Sequence, residues 1–216
     1  AGKSLVLAAG RLHHTGLNPA LSAAIGGLAA SAKPAAGLHR FAHAQQTLQV
    51  LIAPLHPVPR LLVLGAGLDA IPLVTLADTL GWRVSVADHR PAYLARNGFG
   101  AAEHTLCAPA VELAQRLPLA TFSAVVVMSH HLATDRVYLQ QLCASTIPYI
   151  GLLGPPARRE RLLQDMGAAA TSLRGRLHGP AGLDIGADSP ESIALSILAQ
   201  IQAVSPPAAE LRRTAS

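Results

Sequence analysis

Arg60-Leu-Leu-Val-Leu-Gly65-Ala-Gly67-Leu-Asp69-Ala70 decides the fold. Four consecutive apolar residues, 61–64, are long enough for a buried strand and too short for a helix. They stop at Gly65. From Ala70 an apolar pattern of helical spacing runs to residue 80, with Pro72 in the first turn, where its missing N–H costs little. Gly81 then ends it. The turn between strand and helix fits G-x-G-x-x-[GA]. In that pattern Gly65 permits the tight turn, Gly67 lets a pyrophosphate approach the backbone, and Ala70 allows the helix to pack closely on the strand. The helix start that begins at Asp69 and Ala70 offers unpaired N–H groups and a positive dipole to an anion.

The same rhythm continues outward. Residues 84–87 read as a second strand ending at Asp88, and 91–104 as a loop containing a poor helix. Residues 111–116 read as a short helix and 124–128 as a buried strand. A helix over 134–143 takes Thr134 as its N-cap. Residues 149–153 form a further strand, and 157–166 a helix closed by Gly167. Ser189-Pro190-Glu191 opens a last helix that runs to about residue 204. Alternating strands and helices imply right-handed crossovers and a parallel sheet. The expected fold class is therefore α/β, a Rossmann-like doubly wound parallel sheet with a small N-terminal appendage.

The organisation expected is an N-terminal segment 1–56, a nucleotide- or cofactor-binding domain 57–204, and a flexible tail 205–216. Pro54, Pro57 and Pro59 form the stiff linker between the first two. Within the appendage, the residues from Lys3 open a strand. Residues 17–32 read as a helix broken at Gly26-Gly27, 33–37 as a loop, and 47–52 as a strand. The Ala- and Leu-rich stretches of 1–56 are too short to fold alone. They are expected to pack on the main domain or on a second copy, which makes a homodimer plausible.

Composition supports an aliphatic core. Half the residues are apolar, only 13% are charged, and aromatics are 3%. Such a core suits parallel strands flanked by Ala- and Leu-rich helices. The net charge of +5 comes largely from the first third, since no Asp or Glu precedes Asp69. With no dense basic run, nucleic acid is not implied; an anionic ligand is the better functional reading. Two isolated cysteines, Cys107 and Cys143, imply neither a disulfide framework nor a redox pair, and a reducing cytoplasm is the default. No signal-peptide pattern and no clean apolar window of membrane-spanning length is present.

Candidate ligand contacts lie where the strands end. Asp88, 23 residues after Gly65, stands where a carboxylate would bind ribose hydroxyls, and Arg90 could instead meet a phosphate. Neither decides between NAD and NADP. Ser129-His130-His131 follows a strand. Either histidine could shuttle a proton, contact an anion or ligate a metal. Two adjacent histidines point in different directions, however, and no His/Cys cluster supports a metal. Gly154 ends another strand. Arg158 and Arg159 at the following helix start oppose its dipole unless an anion is present; the alternative is pairing with Glu160 or Asp165. Asp184, in the Gly-rich 182–188 loop, reaches the cleft or caps a turn. No catalytic residue is assigned. There is no G-x-S-x-G elbow, and the only lysines, Lys3 and Lys33, lie outside the main domain.

These blocks, in order, resemble the XdhC/CoxI accessory proteins: residues 61–73, Gly81 to Pro91, Ala124 to His130, Pro148 to Pro155 with Arg158, and Gly182 to Ser196. The resemblance implies a non-catalytic chaperone that binds molybdenum cofactor, assists its sulfuration, and delivers it to hydroxylases such as xanthine dehydrogenase. A cysteine desulfurase is a further implied partner. The cofactor is a pterin with a terminal phosphate, in mononucleotide or dinucleotide form. Gly65, Gly67, Asp69, Ala70, Asp88, Arg90, His130, Gly154, Arg158 and Asp184 are its expected contacts. Two departures stand out. Leu68 replaces the family's usual His. The N-terminal Gly-Ser-x-x-Arg and Ser-Gly-Gly-Cys segments have no counterpart, so no sulfuration role falls to Cys107 or Cys143. The readings set against this one are an NAD(P)-dependent oxidoreductase and a scaffold that binds no small molecule.

Overall fold

The computed structural model describes residues 4–8, 11–32, 37–43, 46–53, 57–96 and 98–204. The tail expected at 205–216, Pro54 of the linker, and most of the 33–37 loop lie outside these. The chain divides into two compact units, the first reaching His56 and the second spanning Pro57–Pro207.

In the first unit, β1 (Ser4–Ala8) pairs antiparallel with β2 (Arg11–Thr15). A helix, α1 (Pro19–Ala32), follows, and then a second antiparallel pair, β3 (Gly37–His43) with β4 (Gln46–Ile52). Asn18 caps α1 by accepting the Leu21 N–H at 2.7 Å. The expected break at Gly26-Gly27 does not occur: α1 runs through both glycines. A glycine costs about 1 kcal/mol in a helix interior, and Ala and Leu on either side offset it. Sequence reading also missed β2 and β3, whose histidines and arginines hide the alternation.

The second unit holds a six-stranded, all-parallel sheet. Its strands are β5 (Arg60–Leu64), β6 (Arg83–Asp88), β7 (His104–Cys107), β8 (Ala124–Val127), β9 (Tyr149–Leu152) and β10 (Leu177–His178). They lie in the order β10-β9-β8-β5-β6-β7. The chain starts at the centre, winds to one edge, returns, and winds to the other; this is the doubly wound order 3-2-1-4-5-6. Both edge strands, β7 and β10, escaped the sequence reading. β7 is polar and β10 has only two residues, so neither presents an apolar run.

Alternation along β5 builds two cores at once. Leu61 and Val63 face α2 (Ala70–Thr79) and α7 (Pro190–Val204), against Leu73, Val74, Ile197 and Ile201. Leu62 and Leu64 face the opposite layer, where α5 (Leu132–Cys143) and α6 (Pro156–Met166) supply Tyr138, Leu139, Leu142 and Leu162. All these side chains are fully buried or nearly so. Each aliphatic one contributes about 1.5–3 kcal/mol. That explains why 61–64 and 124–127 are uninterrupted apolar runs: both faces of the sheet are covered. Two shorter helices, α3 (Pro91–Leu94) and α4 (Leu113–Arg116), complete the crossovers.

Arg176 fastens the C-terminal end of α5. Its guanidinium donates to the carbonyls of Leu142, Cys143, Ile147 and Ser172 and to Ser145 Oγ, at 2.9–3.3 Å. A helix end has carbonyls that no N–H of its own can reach, and a cation there also complements the dipole. Arg176→Met is expected to cost about 2–3 kcal/mol, read as a lowered denaturant midpoint with unchanged slope.

Candidate functional site

The C-terminal ends of β5, β6, β8 and β9 lie along one edge of the sheet, and the strand order reverses between β5 and β8. In open α/β sheets the crevice at such a reversal is where ligands bind. Gly65 sits there with φ +120°, a conformation reserved for glycine. A Cβ on it would stand 2.5 Å from the Met128 carbonyl oxygen. Absence of a side chain at Gly65 is thus what lets the β5 turn and the end of β8 touch.

Beyond the turn, the N–H groups of Gly67, Leu68 and Asp69 have no acceptor among the described residues, whereas those of Ala70 and Ile71 bond back to the carbonyls of Gly67 and Leu68. Three open donors at the start of a ten-residue helix make a cradle for an anion. The space over Gly67 is not empty, however. A Cβ on Gly67 would collide with Asp69 Oδ1. Asp69 Oδ2 is held by His130 Nε2 at 2.6 Å. His130 follows β8 with φ +60° and is the only non-glycine residue with positive φ among those described. This pair spans the crevice, and both side chains retain solvent access. A phosphate entering the cradle meets a carboxylate first, so binding entails swinging Asp69 aside, with His130 left to face the anion.

Asp88 is buried at the end of β6. Its Oδ2 accepts the Ala66 N–H at 2.7 Å, and both its oxygens take the Arg90 guanidinium, at 2.9 and 2.7 Å; Oδ1 also accepts the Arg90 N–H. Burial pushes the Asp88 pKa up. The hydrogen bonds from Arg90 and from the two backbone N–H groups outweigh it, and the carboxyl rests below its ordinary value. Sequence reading treats Asp88 and Arg90 as separate ligand contacts; the structure joins them to each other and to the glycine turn. Arg90 also lies over the Tyr93 ring at 3.6 Å, and Arg96 lies 4.1 Å from the same ring.

Across the crevice, the anion that answers the basic start of α6 is internal. Arg158 donates to Asp135 Oδ2 through Nε at 3.1 Å and a terminal nitrogen at 2.6 Å. Asp135 is buried in the first turn of α5 and takes Ser129 Oγ at 2.5 Å on its other oxygen. Arg158 therefore pairs with neither Glu160 nor Asp165. Asp135 was missed by sequence reading, although an acidic residue in a helix's first turn after a strand-end Ser-His-His was a usable signal. Thr134 is not the N-cap of α5. That position belongs to His131, whose Nδ1 accepts the Thr134 N–H at 3.4 Å. The two histidines do point apart, one to Asp69 and one into its own helix.

Gly154 follows β9 with φ +125° and lies against the Arg158 side chain. Asp184 is exposed and makes no hydrogen bond among the described residues. Its loop is anchored from α7: Gln200 accepts the Gly182 N–H and the Tyr149 hydroxyl, and the Ser196 carbonyl accepts the Leu183 N–H. The structure thus brings Gly65, Gly67, Asp69, Ala70, Asp88, Arg90 and His130 together at the glycine turn, with Arg158 one strand away. It gives Asp184 no partner in that group. No group of three His, Cys, Asp or Glu able to hold a metal occurs among the described residues, and no described helix is long and apolar enough to cross a membrane.

A six-stranded parallel sheet in this order, with a glycine turn and an open helix start at its reversal point, defines a Rossmann domain. Residues 61–201 match the XdhC Rossmann domain, and the chain belongs to that family. It is 36% identical over 159 residues to a protein of Bacillus subtilis described as a probable xanthine dehydrogenase subunit, covering 74% of this chain and 47% of that protein. It is 31% identical over 147 residues to an uncharacterized Escherichia coli protein, covering 66% of this chain and 27% of that one. A crystal structure of a xanthine dehydrogenase from Bacillus halodurans superposes with a TM-score of 0.61 at 34% identity, over 67% of this chain and 43% of that one. The chain spans about half the length of the Bacillus subtilis relative.

Proposed function

We propose that this protein is a non-catalytic accessory factor for a xanthine dehydrogenase-type molybdenum hydroxylase, and that its crevice receives the molybdenum cofactor by the phosphate end. The three open N–H groups at Gly67, Leu68 and Asp69 carry this reading. They fit a phosphate and need no metal ligand from the protein. The group supplies redox and oxygen-transfer chemistry in the client enzyme; this chain's part is to bind and orient it. Gly65 and Gly67 keep the backbone accessible, the α2 dipole favours the negative charge, and His130 would replace Asp69 contacts with contacts to the anion. The Asp88–Arg90 pair holds the turn in shape rather than offering free oxygens to a ribose, which argues against the NAD(P) reading. In the wider proposal the protein acts in the cytoplasm, works beside a cysteine desulfurase during sulfuration, and pairs with a second copy of itself.

The test is a titration with molybdenum cofactor and, separately, with NAD(H), each repeated on Gly67→Asp. The cofactor is expected to bind and the variant to lose at least about tenfold in affinity, because a second carboxylate stands in the anion cradle. NAD(H) binding without cofactor binding would replace this reading with the oxidoreductase. Silence from both ligands, together with capture of the hydroxylase by wild type and Gly67→Asp alike, would replace it with a scaffold.

A further inference from the structure

A second candidate site lies away from the glycine turn, on the outer side of α6. A cavity of about 260 Å³ opens there, walled by α6, the 3-10 turn at Gly167–Leu173, and the start of β10. Its floor is apolar, with Leu173 and Leu177 buried and Leu163 and Ala170 half-buried beside them. Two arginines, Arg159 and Arg174, line it together with Gln164 and Thr171.

Arg159 and Arg158 are neighbours in sequence with opposite fates. Arg158 turns into the sheet end and is neutralised by Asp135. The Arg159 side chain packs against Gly179, and its Nε is buried without a hydrogen-bond partner, as is the Nε2 of His178. No carboxylate among the described residues lies within ion-pair distance of Arg159 or Arg174. His178, stacked on Tyr149 nearby, brings no countercharge: burial and then the Arg159 charge hold its pKa below the ordinary value. Two arginines without a carboxylate partner beside an apolar recess leave positive charge that an anion from outside can answer.

We propose that this cavity binds a small amphipathic monocarboxylate, with the carboxylate between Arg159 and Arg174 and a short aliphatic chain on the leucine floor. Two fork-shaped donors match a carboxylate, and the apolar floor selects for a hydrocarbon body over a bare anion. The small volume suits a free acid of modest length rather than a larger, drug-sized ligand.

Octanoate serves as the probe, with acetate and inorganic phosphate as controls, followed by calorimetry and by thermal unfolding of the full chain. Octanoate is expected to bind and raise the melting temperature, with acetate and phosphate at least about tenfold weaker. Arg159→Met should lose at least about tenfold in octanoate affinity while its own melting temperature stays level or rises, because an unmet donor has been removed. Leu163→Gln should weaken octanoate and leave acetate unchanged. Three results would overturn the proposal: no response to octanoate, equal binding of phosphate, or unaltered octanoate affinity in Arg159→Met.

Discussion

Gly65→Ala is expected to lose about 3–5 kcal/mol of stability, enough to unfold much of the population of a domain of ordinary stability. Two independent costs combine. The backbone at Gly65 has φ +120°, which no L side chain adopts without strain. The added methyl would also stand 2.5 Å from the Met128 carbonyl oxygen and 2.8 Å from the Ser129 Cα. Both are backbone atoms at the end of a central, fully buried strand, and that strand cannot retreat without opening the β5–β8 ladder from Leu61↔Ala124 to Leu64↔Val127. Denaturant unfolding of the two proteins measures it. A midpoint within error of wild type would mean that the turn relaxes and that Gly65 is not a structural requirement.

Gly67→Ala makes the opposite prediction and separates the two glycines. The added methyl meets the end of a side chain, Asp69 Oδ1, rather than backbone. Asp69 can move, so stability should change by less than about 1 kcal/mol while the His130–Asp69 contact breaks. Loss of that contact is visible in the His130 ring resonances. One glycine therefore holds the fold and the other keeps the crevice, the division of roles that the G-x-G-x-x-[GA] pattern implies.

What could be read from the sequence follows from what each element buries. β5, β8 and β9 are covered on both faces, so their residues are nearly all apolar and their runs are unmistakable. β7 and β10 are edge strands. One is polar and the other two residues long, and no apolar pattern remains to read. Residues at the crevice were found because strand ends in a parallel sheet are a topological location, and Gly65, Asp88 and His130 follow directly from the strand assignments. Their partners were not legible. Arg158 with Asp135 and Asp69 with His130 each depend on how distant segments meet at the sheet end, which sequence spacing does not encode; Arg90 and Asp88 are two residues apart, and there only the choice between pairing with each other and meeting a ligand was open. The cap of α5 failed for the same reason: Thr134 is the commoner capping residue, yet the helix begins two residues earlier and a histidine ring does the work.

Asp88→Ala carries the second large effect and a pH signature. The carboxylate is buried, and its removal leaves the Ala66 N–H without an acceptor and the Arg90 charge without its partner. Breaking such a pair from one side costs about 3–5 kcal/mol, and the glycine turn, which hangs from the Ala66 bond, should loosen with it. Asp88→Asn keeps one acceptor oxygen and loses the charge, so it should fall between Asp88→Ala and wild type. The native pKa of Asp88 is depressed. Its contribution is therefore fully present above the unfolded carboxyl value of about 3.9 and is lost as pH falls through the lower native value. The stability gap between wild type and Asp88→Asn should accordingly be constant at neutral pH and shrink once the pH drops below about 4. Unfolding both proteins in denaturant across that range gives the answer. A gap that stays the same in acid would assign the effect to lost hydrogen-bond geometry. A gap that closes assigns it to the charge, and makes the Asp88–Arg90 pair the acid-sensitive joint of the turn that presents Gly67, Leu68 and Asp69.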